Sequence, residues 1–205
     1  MSASVSRWTT TFEGDGDSYD ERFARLAASG VNVHGEVDHL MAYAPRRVLD
    51  AGCGTGRVAI ELRRRGVAAV GVDVDPRMLD AARRKDPDGT WVLADLATLG
   101  LDQTFDVVVA AGNVMIFLEP GSEATVVARL AAHLEPGGHL VAGFQLQPGG
   151  LDLDTYDAAC TAAGLRLADR WATWDRQPFV PGGDYAVSAH TRPATSSSMG
   201  ATMPV

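Results

Sequence analysis

The chain has 205 residues, with 18 basic and 26 acidic side chains and a net charge of −8. With 46% hydrophobic and 21% charged residues it carries enough apolar material for one folded domain, which excludes global disorder. No apolar run reaches the ~20 residues that span a bilayer, the first residues lack the apolar stretch of a secretory signal, and the acidic balance argues against a polyanion as main partner. The two cysteines, Cys53 and Cys160, form no CxxC or Cys/His cluster, so a disulfide scaffold and structural zinc are disfavoured and a reducing cytoplasm fits. Lys85 is the only lysine, which with the abundant alanine reads as coding bias rather than chemistry.

Along the chain, apolar runs alternate with helical patterns. Val48-Leu49-Asp50 is a short strand, followed by the turn Gly52-Cys53-Gly54-Thr55-Gly56 and a helix from Arg57 to Arg65 that Gly66 stops. Ala68–Val72 is a second strand ending at Asp73, and Pro76 opens a helix with Met78, Leu79, Ala81 and Ala82 on its apolar face. Trp91–Ala94 ends at Asp95, and Phe105–Ala111 is almost continuously apolar, as a strand buried on both faces would be. Residues 122–134 read as a helix capped by Ser122, then Pro136-Gly137-Gly138 as a turn and His139–Phe144 as a fifth strand. Residues 153–163 are helical with Gly164 as stop. Strands over 165–175 and 184–191, joined by a Pro/Gly loop, form an antiparallel hairpin. This rhythm predicts an α/β fold, a doubly wound, mostly parallel seven-stranded sheet of Rossmann-like type with an antiparallel C-terminal hairpin. Residues 193–205 are small and polar and read as a frayed tail.

A strand running into Gly-x-Gly-x-Gly and then a helix is a cofactor cradle. Glycine admits backbone angles closed to other residues and lets a ligand touch the main chain. Asp50, Asp73 and Asp95 all stand at carboxyl ends of strands, where open α/β sheets bind ligands. Asp73 is placed to accept the two ribose hydroxyls of a nucleoside, and Asp95 to meet an adenine amino group.

VLDAGCGTGR (48–57) resembles the first motif of class I S-adenosylmethionine-dependent methyltransferases; GVDVDPRML (71–79), VLADL (92–96), FDVVVAAGNV (105–114) and LEPGGHLV (134–141) are similar to the four that follow. The resemblance implies S-adenosyl-L-methionine as cofactor and S-adenosyl-L-homocysteine as product. It implies that Ala51, Gly52, Cys53, Gly54 and Gly56 line the methionine part, and that Asp50 helps hold its amino group through the loop. Asp73 would take the ribose, Val74 and Met78 the adenine face, Asp95 and the Leu96 amide the adenine edge. Ala111, Gly112 and Asn113 would lie near the transferred methyl. It further implies an N-terminal helical lid (1–45) on a cofactor-binding domain (46–192), with Tyr19 closing over the methionine end.

The rival readings are an NAD(P)-dependent oxidoreductase, which would prefer Gly-x-Gly-x-x-Gly feeding a pyrophosphate onto a helix N-terminus, and a non-catalytic cofactor-binding protein. The acceptor is expected to be a small molecule, because the Asn/Asp-Pro-Pro-aromatic motif of DNA amino-methyltransferases is absent at Asn113-Val114-Met115-Ile116. No single catalytic residue is dictated, since methyl transfer needs a base only when the acceptor must lose a proton. Several residues carry two readings. Phe12, Tyr19 and Phe23 belong to a lid, or Tyr19 and Phe23 form one helix face. His34 is a base or a capping group. Asn113 and Met115 face the acceptor by position alone. Trp171, Trp174 and Phe179 wall a pocket or pack the sheet. Cys53 is structural rather than nucleophilic.

Overall fold

A computed structural model describes residues 7–8 and 16–194. Phe12 and residues 195–205, most of the expected tail, lie outside the described residues. Seven strands form one sheet: β1 (Arg47–Ala51), β2 (Ala68–Asp73), β3 (Thr90–Leu93), β4 (Phe105–Ala110), β5 (Leu134–Gln145), β6 (Arg166–Trp171) and β7 (Tyr185–Thr191). Their order is β3-β2-β1-β4-β5-β7-β6. Strands β1 to β5 run parallel, and β7 pairs antiparallel with both β5 and β6. The order reverses between β1 and β4, so the loops after these strands diverge and open a crevice at their carboxyl ends.

The helices are α1 (Gly16–Ala28), α2 (Gly35–Met41), α3 (Arg57–Arg64), α4 (Pro76–Lys85), α5 (Glu123–Ala132) and α6 (Leu153–Ala162). Alternation along each strand divides the core between two faces. Leu49, Val108, Phe144 and Leu130 pack with Tyr156 on one. Val48, Val107, Val141 and Val187 meet Val58 and Leu62 of α3 on the other, where α2 adds Val37 and Leu40. Helix α1 buries only Gly16 fully. It lies against α4 so closely that a Cβ on Gly16 would come within 2.5 Å of the Ala81 Cβ. Arg84 donates to Asp17 at 2.7 Å and Lys85 to Asp20 at 2.6 Å across that contact.

Three local expectations are corrected. Ser122 stands at the N-cap of α5 as expected, but its side chain makes no capping bond, and its hydroxyl donates to the Glu119 carbonyl at 2.7 Å. Pro136-Gly137-Gly138 does not precede a strand but lies inside β5, as an irregularity where the register with β4 shifts between Phe105 and Val107. The first hairpin strand stops at Trp171, after which Ala172 bonds to the Gln177 carbonyl and the chain folds back on itself. Among the described residues no helix is long and apolar enough to cross a membrane, and no cluster of metal-ligating side chains occurs.

Candidate active site

Strand β1 delivers Asp50 to the crevice with 2% of its surface exposed. Its Oδ2 accepts the Ala59 amide of the first turn of α3 at 3.1 Å. Burial pushes the carboxyl up to about 7, against the opposing pull of that amide and of Arg57. The chain then turns through Gly52, Gly54 and Gly56 at φ of 77°, 54° and 81°, a left-handed run only glycine adopts without strain. The Gly52 and Cys53 amides both donate to the Val72 carbonyl, at 2.8 and 2.9 Å, which fastens the loop to β2.

Strand β2 ends at Asp73. Its Oδ2 accepts the Gly54 amide at 2.7 Å and its Oδ1 the Asp75 amide at 2.9 Å. Burial raises its pKa above the usual carboxylate value despite these donors. Asp75 caps α4 by accepting from the Arg77 amide, and the Arg77 guanidinium holds its carboxyl below the usual range. Asp95, after β3, accepts the Ala97 amide at 2.8 Å and stands beside Leu96 at the far end of the same cleft.

The opposite wall comes from the chain after β4. Ala111 and Gly112 line the cleft, and a short 3₁₀ turn, Val114–Phe117, follows. Val114 lies over Gly52, where a Cβ would sit 2.4 Å from its Cγ2. Trp8 and Tyr19 also line the cleft. The Trp8 ring meets Phe117 edge-on at 5.3 Å and Tyr19 at 6.1 Å. Burial raises the Tyr19 phenol above its ordinary value.

One cleft therefore gathers eleven of the residues singled out in the sequence: Tyr19, Asp50, Gly52, Cys53, Gly54, Asp73, Val74, Asp95, Leu96, Ala111 and Gly112. Four others do not line it. Ala51 and Met78 are completely buried, Met78 because the apolar face of α4 turns it into the core. Gly56 faces Trp91, whose ring would lie 2.5 Å from a Cβ there. Asn113, at φ 69°, turns towards β5, and its Oδ1 accepts the Gln145 amide at 2.9 Å. Met115 likewise sits in the core at 1% exposure and does not line the cleft.

His34 occupies the N-cap position of α2 without a capping side-chain bond and does not line the cleft. Trp171 packs edge-on against His39 at 4.7 Å, and Phe179 lies 5.8 Å from the Arg170 guanidinium. Trp174 donates to the Tyr185 hydroxyl at 3.1 Å beside a separate hollow in the hairpin loop. The Cys53 thiol is buried, and burial pushes its pKa well up, which suits a structural rather than nucleophilic group.

Sequence reasoning missed Trp8, Arg57, Val58, Val114, Phe117 and Leu118 as cleft residues. Arg57 carried a signal: a cation on the first residue of a helix opposes the helix dipole and needs a reason to be there.

The family model described as a methyltransferase domain matches residues 48–138. The chain is 38% identical over 96 residues to the cypemycin N-terminal methyltransferase of a Streptomyces species, covering 45% of this chain and 39% of that protein. It is 34% identical over 107 residues to the magnesium-protoporphyrin O-methyltransferase of Rhodobacter capsulatus, covering 50% and 45%. The chain thus spans less than half the length of these curated relatives. The crystal structure of a TehB-like SAM-dependent methyltransferase from Corynebacterium glutamicum superposes with a TM-score of 0.80 at 34% identity, over 86% of this chain and 97% of that one. With that agreement across nearly the whole of a solved relative, and with the motif-bearing segments converging on one cleft, the chain belongs to the class I S-adenosylmethionine-dependent methyltransferases.

Proposed function

We propose that the chain binds S-adenosylmethionine in this cleft and transfers its methyl group to a small-molecule acceptor. The observation that carries the choice of cofactor is the Asp50–Ala59 hydrogen bond. A carboxylate already occupies the N-terminal turn of α3, the place where a dinucleotide would seat its pyrophosphate. A pyrophosphate there would compete with Asp50 for the helix amides, whereas a cationic ligand end would favour its ionised carboxyl.

The remaining groups fit the same ligand. The glycine loop offers main chain without a Cβ in the way. Each Asp73 oxygen accepts one backbone amide and keeps a lone pair for a ribose hydroxyl. Val74, Leu96 and Leu118 supply apolar surface for a purine, and Asp95 and the Leu96 amide offer an acceptor and a donor for its edge. Asp50 acts on the ammonium end through the loop. When bound, the cofactor supplies a methyl carbon on a sulfonium, attacked in line with the C–S bond by a lone pair of the acceptor. Trp8, Tyr19 and Phe117 exclude water at that end, and orientation supplies much of the acceleration.

The names of the relatives include both an N-terminal and an O-methyltransferase, so they do not single out one acceptor atom. The net charge of −8 and the absence of a DNA-type motif after β4 favour a small acceptor over nucleic acid. Two free, buried cysteines fit a cytoplasmic location.

Titration calorimetry with adenosylhomocysteine and with NAD tests the reading. Micromolar binding of the first and silence with the second supports it, and the reverse result overturns it. An acceptor screen that follows adenosylhomocysteine release separates turnover from binding alone.

A further inference from the structure

Arg57 follows directly on the last glycine of the loop and begins α3, yet its side chain serves the lid. Its guanidinium makes a two-pronged pair with the Glu36 carboxylate of α2, Nη1 donating to Oε2 at 2.9 Å and Nη2 to Oε1. Nη1 also donates to the Val33 carbonyl in the connection between α1 and α2. The same group lies 4.5 Å from the centre of the Phe23 ring of α1. The Arg57 and Glu36 side chains are only 14% and 15% exposed, so this pair is shielded from solvent screening. On the other side of Gly56, the buried Thr55 hydroxyl donates to Asp20 of α1 at 2.5 Å. The cofactor loop is thus tied to the lid at both residues flanking its last glycine.

We propose that Arg57 is the latch of the lid, a positioning residue that couples the glycine loop to both N-terminal helices and holds Tyr19 across the mouth of the cleft beside Gly112. The geometry supports this directly. Phe23, on which Arg57 stacks, lies one helical turn from Tyr19, and the two rings are 5.2 Å apart. A Cβ on Gly112 would lie 3.9 Å from the Tyr19 hydroxyl. The cation at a helix N-terminus is a local conflict that the lid contacts resolve. A ligand that orders the loop then also orders the lid. This last consequence, and only this one, rests on the cofactor reading above.

The experiment is limited trypsin digestion read by mass spectrometry at Arg22 and Arg25, two exposed sites on α1. Without ligand, Arg57→Met should raise cleavage at both sites at least roughly tenfold, because it breaks a shielded ion pair and its stack together. Arg57→Lys, which keeps the charge but loses the planar fork, should fail to restore the wild-type rate. Phe23→Leu removes the stack alone and leaves the loop intact; about threefold faster cleavage is expected. Adenosylhomocysteine should slow cleavage in the wild type and lose that effect in Arg57→Met. Wild-type cleavage rates in Arg57→Met overturn the latch. Should that variant not fold, an unchanged rate in Phe23→Leu overturns it instead. A wild type that ignores adenosylhomocysteine, with the ligand-free rates as expected, overturns the cofactor reading and leaves the latch standing.

Discussion

The Gly54 amide donates to the Asp73 carboxylate at 2.7 Å, so the glycine loop after β1 and the acid that ends β2 form one hydrogen-bonded unit. Asp73 therefore has two tasks: it shapes the loop, and it presents its remaining lone pairs to the cleft. Asp73→Ala should weaken adenosylhomocysteine binding at least tenfold, since a charged hydrogen-bond partner is worth ~1.5–3 kcal/mol. Calorimetry on the variant checks this; wild-type affinity would place the ribose elsewhere.

Asp50 should make the protein less stable as pH rises. Its folded pKa is about 7, above the unfolded value near 3.9. Between those values the folded state holds a proton that the unfolded state has lost, so stability is greatest below the unfolded pKa and falls as pH climbs towards 7. Burial raises Asp73 too, and it acts in the same sense. Asp50→Asn should flatten the fall in denaturant midpoint between pH 5 and 8.

The same carboxyl should link ligand binding to protons. A bound ammonium lowers the Asp50 pKa, so adenosylhomocysteine should release a proton near pH 7. Calorimetry in buffers of different ionisation enthalpy measures it, and Asp50→Asn should reduce the release.

Met78 has no exposed surface and lies on the core side of α4. Met78→Ala should cost ~2–5 kcal/mol of stability by opening a cavity. Adenosylhomocysteine affinity should stay nearly unchanged at a temperature where the variant is folded. A large loss of affinity with little loss of stability would return Met78 to the adenine.

Gly71 pairs with Trp91 between β2 and β3, and a Cβ on Gly71 would lie 2.5 Å from the indole. The indole is pinned by a hydrogen bond from its Nε1 to the Asp86 carbonyl at 2.9 Å. Gly71→Ala should cost ~1–3 kcal/mol by overpacking, read from chemical denaturation followed by tryptophan fluorescence.

The sequence by itself determined the strand–helix rhythm, the glycine turn and the three acids at strand ends. Each of these is written locally, in an apolar run, a left-handed turn or the residue that closes a strand. Direction across the fold is another matter. Met78 and Val74 lie four residues apart, yet helix packing sends one into the core and leaves the other in the cleft. Asn113 stands beside Gly112, but two successive left-handed residues, Gly112 and Asn113, turn the Asn113 side chain onto β5. Trp8 and Phe117 are more than a hundred positions apart and meet only in the folded chain. Tertiary structure alone added Trp8 and Phe117 beside Tyr19 at the site, because contacts between elements distant in the chain depend on register and packing that no local pattern encodes. Arg57 joins the two levels: its place beside the loop is in the sequence, and its grip on Phe23, Val33 and Glu36 exists only in the fold.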